Sequence, residues 1–422
     1  MKEDFLHFLW KFKKLDFTQL KTTEGCNLYI ERFGTYNTLS GPDFSNAIVI
    51  IDRQYWAGTV EMHLKSSDWF AHGHEKDPAY NNVILHVVWE HDVEVFNSNN
   101  QTLPVLELKH YTSLGILNDY QKLLYHKYHF INCEKQLQHT NDFVRSSWLE
   151  RLYFERLEEK SKLVKQLLKE TDNNWEAVLF QMLMKSFGGN INGASFLSIA
   201  QSVNFSHVQK LFQNPVQLES VFMGQAGLLS SEIPSAYEKL LRKEYAYVKH
   251  KFGLSNTGVL PPQFFKLRPY NFPTLRLSQL AQLYHQHQQL FSLVMSLDKI
   301  SDYHKVLEVP TSEFWEDHYT FQKQSKRVKK KLSSNFIQLL IINTLIPLRF
   351  SFMKYKGEED MEKLMNLMMA LPAEKNAVVA GFKSYKLNVQ NALESQSLVQ
   401  LYHQYCKAHK CLQCSLGVNI LK

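Results

Sequence analysis

"GPDFSNAIVIIDRQYWAGTVEMHLKSSDW", residues 41–69, decides the fold. Two runs rich in β-branched and aromatic residues flank the turn-forming interval "DRQ", so the stretch reads as a β-hairpin. Alternate residues of a strand share a face. Trp56, Gly58, Val60, Met62 and Leu64 then form the buried side, and Glu61, His63 and Lys65 stand in a row on the opposite side, facing outward. Asp43 opens the first strand, far from the turn and level with that row. Two carboxylates converging there would seat a hard divalent cation, Mg²⁺ or Mn²⁺, through oxygen. His63 or Lys65 would orient a water or take its proton.

Outward from the hairpin, short strand-like runs continue: "NLYIERFG", "NNVILHVVWE", "VEVF" and "LPVLELKHY". "MKEDFLHFLWKFKKLDF" precedes them as an amphipathic helix with Phe5, Phe8, Leu9 and Phe12 on one face, and a short helix is expected near residues 67–80. After about residue 112 the period turns helical, as in "SSWLERLYFERLEEKSKLVKQLLKE". A further helix, "NWEAVLFQMLMKSFG", is expected to stop at Gly188 and Gly189. The expected fold class is α+β: a small α/β domain over residues 1–112, then a larger all-α domain over 113–422 ending in a cysteine-rich tail. At 422 residues the chain exceeds what one core usually serves.

The "PD" at 42–43, followed some 18 residues later by "E-x-H-x-K" at 61–65, resembles the PD-(D/E)XK nuclease superfamily. The resemblance implies a restriction-endonuclease-like mixed sheet with a flanking helix. It also implies Asp43 and Glu61 as metal ligands for phosphodiester cleavage, with His63 standing where that superfamily usually has a lysine. A neutral histidine supplies no fixed positive charge, so the other reading is a catalytically inactive nuclease fold kept for binding or scaffolding. The longer pattern "SGPDF…W.G.VEMH…SSDW..HGH..D..YNNVILHVV" resembles, over essentially the whole chain, an uncharacterised bacterial family known only as a domain of unknown function.

Beside the hairpin, Asp68, His72, His74 and Asp77 crowd one short segment and His86 interrupts an apolar run, which suggests a polar pocket under one end of the sheet. His72 and His74 with Asp77 or His86 would suit zinc. Two histidines one residue apart are, however, more often capping or solvated groups. In the tail, Cys406, Cys411 and Cys414 converge on a soft metal, either Zn²⁺ completed by a histidine such as His409 or an Fe–S cluster completed by Cys133 or Cys26. The plain alternative is a cluster of reduced, packed cysteines.

A net charge of +7 permits nucleic acid as a partner without requiring it. The residues that would meet phosphate are Arg268 and Arg276, in a loop with Tyr270 and Phe272, and Lys326, Arg327, Lys329 and Lys330. The N-terminal helix lacks the apolar core of a signal peptide. The run "FIQLLIINTLIPLRFSFM" is broken by Gln338, Asn343, Pro347 and Arg349 and reads as a buried helix, not a membrane span. With five cysteines and no extracellular disulfide pattern, a cytoplasmic protein is expected.

Overall fold

Asp52 and Arg53 take left-handed φ values of 45° and 71°, the two-residue turn whose twist matches paired strands. Around it β3 (Phe44–Ile51) and β4 (Gln54–Lys65) form the antiparallel hairpin. The computed structural model describes residues 1–37, 39–125, 128–358 and 361–421. In it α1 (Glu3–Lys11), β1 (Leu28–Arg32) and β2 (Thr35–Tyr36) precede the hairpin, and α2 (Asp68–Ala71), β5 (Val83–Glu90) and β6 (Val105–Glu107) follow. The sheet runs β1–β3–β4–β5–β6, with β2 also paired to β3. Strands β4, β5 and β6 are parallel, and residues 66–82 supply the long connection that a parallel step needs. "VEVF" contributes only a bridge from Phe96 to Thr102.

One irregularity sets the register. Ala47 pairs with Gly58, but Phe44 pairs with Val60, so two residues, Ser45 and Asn46, oppose Thr59 alone. Asn46 has φ 57° and is the extra residue of a β-bulge. An unbroken ladder from Ala47 would bring Asp43 opposite Met62. The bulge brings it opposite Glu61 instead, on the same face of the sheet.

Both faces are covered where β4 meets β5. On one, α1 buries Phe5, Leu6, Phe8, Leu9 and Trp10 against Val49, Val60, Met62, Leu85 and Val87. On the other, the 66–82 connection brings Trp69 into a small apolar cluster with Val88, Val95, Leu103 and Val105, its indole N–H donating to the Phe96 carbonyl at 3.0 Å. The face expected to be solvated is therefore closed: Glu61 is 6 % exposed and His63 1 %.

The chain divides into two units, and the border lies later than residue 112. One unit comprises residues 1–148, 381–387 and 401–422; the other comprises 149–380 and 388–400. The tail does not end the helical unit. Val418 and Leu421 sit in the α/β unit's core with Phe5, Tyr120 and Leu123, because their helix, Ser415–Leu421, presents that apolar side. In the helical unit the helix over Trp175–Gln201 passes through Gly188 and Gly189. Gly189, at φ 60° and ψ −155°, kinks it and does not end it. The apolar helix Ser334–Tyr355 is 72 % buried over its most hydrophobic stretch. That unit also encloses Glu219, which accepts from Tyr237 Oη (2.9 Å), Ser278 Oγ (2.8 Å) and Trp315 Nε1 (2.6 Å).

The bulge gives a direct expectation. Asn46→Val forces a β-branched residue into the left-handed region, at a cost of about 1–2 kcal/mol, whereas Asn46→Gly is tolerated. Urea midpoints of the three proteins should separate the valine variant from the other two.

Candidate functional site

Across the bulge, Asp43 and Glu61 lock together through the backbone. The Asp43 amide donates to Glu61 Oε2 at 3.0 Å, and the Met62 amide donates to Asp43 Oδ2 at 3.0 Å. The amide of Asp43 is one of the groups that oppose the effect of burial on the Glu61 carboxyl. His7, from α1, sets Nε2 3.1 Å from Asp43 Oδ2. Burial alone would depress the His7 imidazole, but its close pairing with Asp43, helped by Asp4 and Glu3, holds it above its ordinary value.

Four imidazoles crowd the other side of Glu61. His63 Nε2 lies 3.7 Å and His74 Nε2 3.5 Å from Glu61 Oε1. His63 Nε2 is 3.0 Å from His72 Nδ1, and His63 Nδ1 is 2.8 Å from His86 Nε2. Ligand atoms of His63, His72 and His74 all lie within 4.8 Å of one another, and among the described residues this is the one such group. Tyr80 stacks on His74 with ring centroids 3.7 Å apart, and Trp69 packs its ring against both His74 and His86.

These surroundings set the charge. Burial, then the neighbouring His86, His74 and His72, pushes His63 down to about 2. Burial, with His74, pushes His86 down to about 3. Both rings are therefore neutral at physiological pH, the form in which imidazole binds a metal. Burial pushes the Glu61 carboxyl up, the His74 hydrogen bond pulls the other way, and the Asp43 charge adds to the rise. A cation between Glu61 and the histidines would reverse that rise.

The residues present fit a metal. Three nitrogens and a carboxylate oxygen converge, a set suited to Zn²⁺ or Mn²⁺ more than to Mg²⁺. His86 touches His63 from behind, as outer-shell partners of ligating histidines do. Its own Nδ1 is buried without a hydrogen-bond partner, so the ring is held by His63 and its aromatic neighbours alone.

Other expected site residues lie elsewhere or serve other ends. Lys65 is exposed at the strand end, its amide donating to Asp68 Oδ2 at 2.9 Å. Asp77 caps the turn at Pro78–Tyr80 through the Ala79 amide. Asp68 and Asp77 are thus spent on turns. Arg276 is buried, bonded to Gln279 and Asn271 and laid on the Phe336 ring. Lys330 is buried and donates to the carbonyls of Trp315, Glu316 and His318. Arg327 pairs with Glu313 and Glu316. Arg268, Lys326 and Lys329 remain exposed.

His7 has no sequence signal that points to Asp43. It is a single histidine on an amphipathic helix, and only the fold brings it there.

A family described as "Protein of unknown function (DUF2851)" matches residues 3–377, and the chain belongs to it. No curated protein and no solved structure matches the chain.

Titration calorimetry with Zn²⁺ and Mn²⁺ tests the centre. His72→Ala, His74→Ala and Glu61→Gln should each weaken binding, and His86→Ala should cost about 10–100-fold through His63. Lys65→Ala should bind as the parent does.

Proposed function

We propose that the α/β unit is a metal-dependent phosphodiesterase of nuclease type acting on nucleic acid, its ion held by Glu61, His63, His72 and His74. The observation that carries the reading is the backbone-locked pair Asp43 and Glu61 on adjacent strands beside three converging imidazoles. The likeness of Pro42-Asp43 and the Glu61–Lys65 run to the PD-(D/E)XK superfamily supports the substrate class. When bound, such an ion supplies Lewis acidity toward a phosphoryl oxygen.

The chain's own groups do the rest. Asp43, with its side chain 22 % exposed, orients the attacking water. His7, held towards its protonated form by Asp43, gives its proton to the leaving oxygen. His63, neutral and buried, acts as a ligand and not as the cation that a lysine would be. Tyr80 and Trp69 pack on His74, while His72 lies exposed at the mouth of the cluster.

A second reading, an inactive fold retained for binding or scaffolding, is favoured by one observation. Lys65, the nearest lysine in sequence, lies exposed and outside the cluster.

The test is hydrolysis of bis(p-nitrophenyl) phosphate, DNA and RNA by the full chain with Mn²⁺, Zn²⁺ or Mg²⁺. Asp43→Asn and Glu61→Gln should each cut the rate by about 100-fold or more with thermal stability preserved, and EDTA should abolish it. Activity that survives both substitutions rejects the assignment. A parent protein that takes up metal yet cleaves none of these substrates supports the scaffold reading.

A further inference from the structure

Beyond the histidines, no second group of metal ligands comes together among the described residues. The cysteines are free, no three of their sulfurs lie within 4.8 Å of one another, and His409 Nδ1 lies 3.3 Å from Asn132 Nδ2. The sheet face that leads from the hairpin turn to Glu61 carries more. Tyr29 pairs with Ile50, and Ile50 with Tyr55, so these side chains form one row across β1, β3 and β4. In β4, Tyr55, Ala57, Thr59 and Glu61 alternate onto a single face. The row therefore shares the face of the candidate site, about 20 Å along the strand from Glu61. Tyr29 is 63 % exposed and Tyr55 69 %. Neither ring has a stacking or hydrogen-bonding partner among the described residues.

Between this row and Glu61 lies a hollow of about 300 Å³, its lining including Arg32, Ser45, Asn46, Ile48, Ala57 and Thr59. A shift of register in β1 sets Arg32, and not Glu31, opposite Ile48. Ile48 and Ile50 alternate onto the same side, so Arg32 joins the face of the tyrosines. Arg32 is exposed, and its guanidinium has no ion pair among the described residues. Thr59 Oγ1, two residues from Glu61, is buried without a hydrogen-bond partner.

We infer that this face is a track for single-stranded nucleic acid, with unpaired bases stacked on Tyr29 and Tyr55 and the backbone phosphate held by Arg32 beside the metal centre. The inference rests on the nuclease reading above and narrows its substrate to unpaired strands. An exposed aromatic ring offers its π-face to any base, but a base inside a duplex is already stacked on both sides by its neighbours. The guanidinium supplies the charge and the fork of donors that suit a phosphate. The rows run without a break into the Glu61 centre, which favours the reacting strand as occupant over a second protein chain.

The experiment is fluorescence anisotropy of the full chain in EDTA with labelled oligothymidine, oligouridine and the oligothymidine–oligoadenine duplex. The single strands should bind more tightly than the duplex. Tyr29→Ala and Tyr55→Ala should each weaken single-strand binding about 10-fold, whereas Tyr29→Phe and Tyr55→Phe keep the ring and should bind as the parent does. Arg32→Ala should weaken binding and reduce the slope of log Kd against log salt by about 0.7. Thermal melts by circular dichroism identify the folded variants. Equal or tighter duplex binding, no single-strand binding, or folded alanine variants that bind as the parent does would each overturn the inference. A dimer dissolved by Tyr29→Ala and Tyr55→Ala would assign the face to a second copy of the chain and overturn it as well. Without metal the readout is independent of cleavage. Tyrosine-dependent strand binding with no hydrolysis would sink the phosphodiesterase reading alone, and hydrolysis with tyrosine-independent binding would sink this inference alone.

Discussion

The one-residue bulge at Asn46 is the constraint on which the candidate site depends. Side chains alternate across a sheet, so shifting a strand by one residue moves each of them to the opposite face. Without the extra residue, Asp43 would face Met62, and its carboxylate would point away from Glu61. With it, the two acids meet, the Asp43 and Met62 amides can bond them reciprocally, and His7 has a partner. A local distortion of backbone thus selects which side chains form a pocket.

Holding that pocket closed is costly in electrostatic terms. Neutral imidazoles are forced against one another and against a carboxylate that burial makes reluctant to ionise. Such an arrangement is hard to explain as packing, because apolar residues of the same size would fill the space without unsatisfied polar atoms. A cation bound there, as proposed above, would relieve that cost.

Much of this was legible in the sequence. The hairpin followed from alternation and the Asp52-Arg53 turn, and the crowding of His72, His74 and His86 near His63 marked the pocket. Burial of the Glu61 face was not legible, because polarity was read as exposure. What covers that face is the 66–82 segment carrying Trp69, and no local pattern announces that a loop will fold back. His7 was invisible because its role rests on where α1 crosses the sheet. Arg276 and Lys330 misled for the converse reason: charge in a sequence does not report burial, and both are held inside by carbonyls, amides and aromatic rings. The tail was assigned to the wrong unit because its contacts span nearly the whole chain, beyond the reach of any periodicity.

The seating of Val418 and Leu421 beside Phe5 has a consequence for biogenesis. A ribosome delivers residues in order, and domains ordinarily consolidate as they emerge, N-terminal first. Here the α/β unit cannot complete its interior until the helix Ser415–Leu421 has left the exit tunnel. The intervening helical unit can therefore consolidate while the sheet still waits with part of its apolar surface uncovered, a window in which chaperones, or premature stop codons, would act.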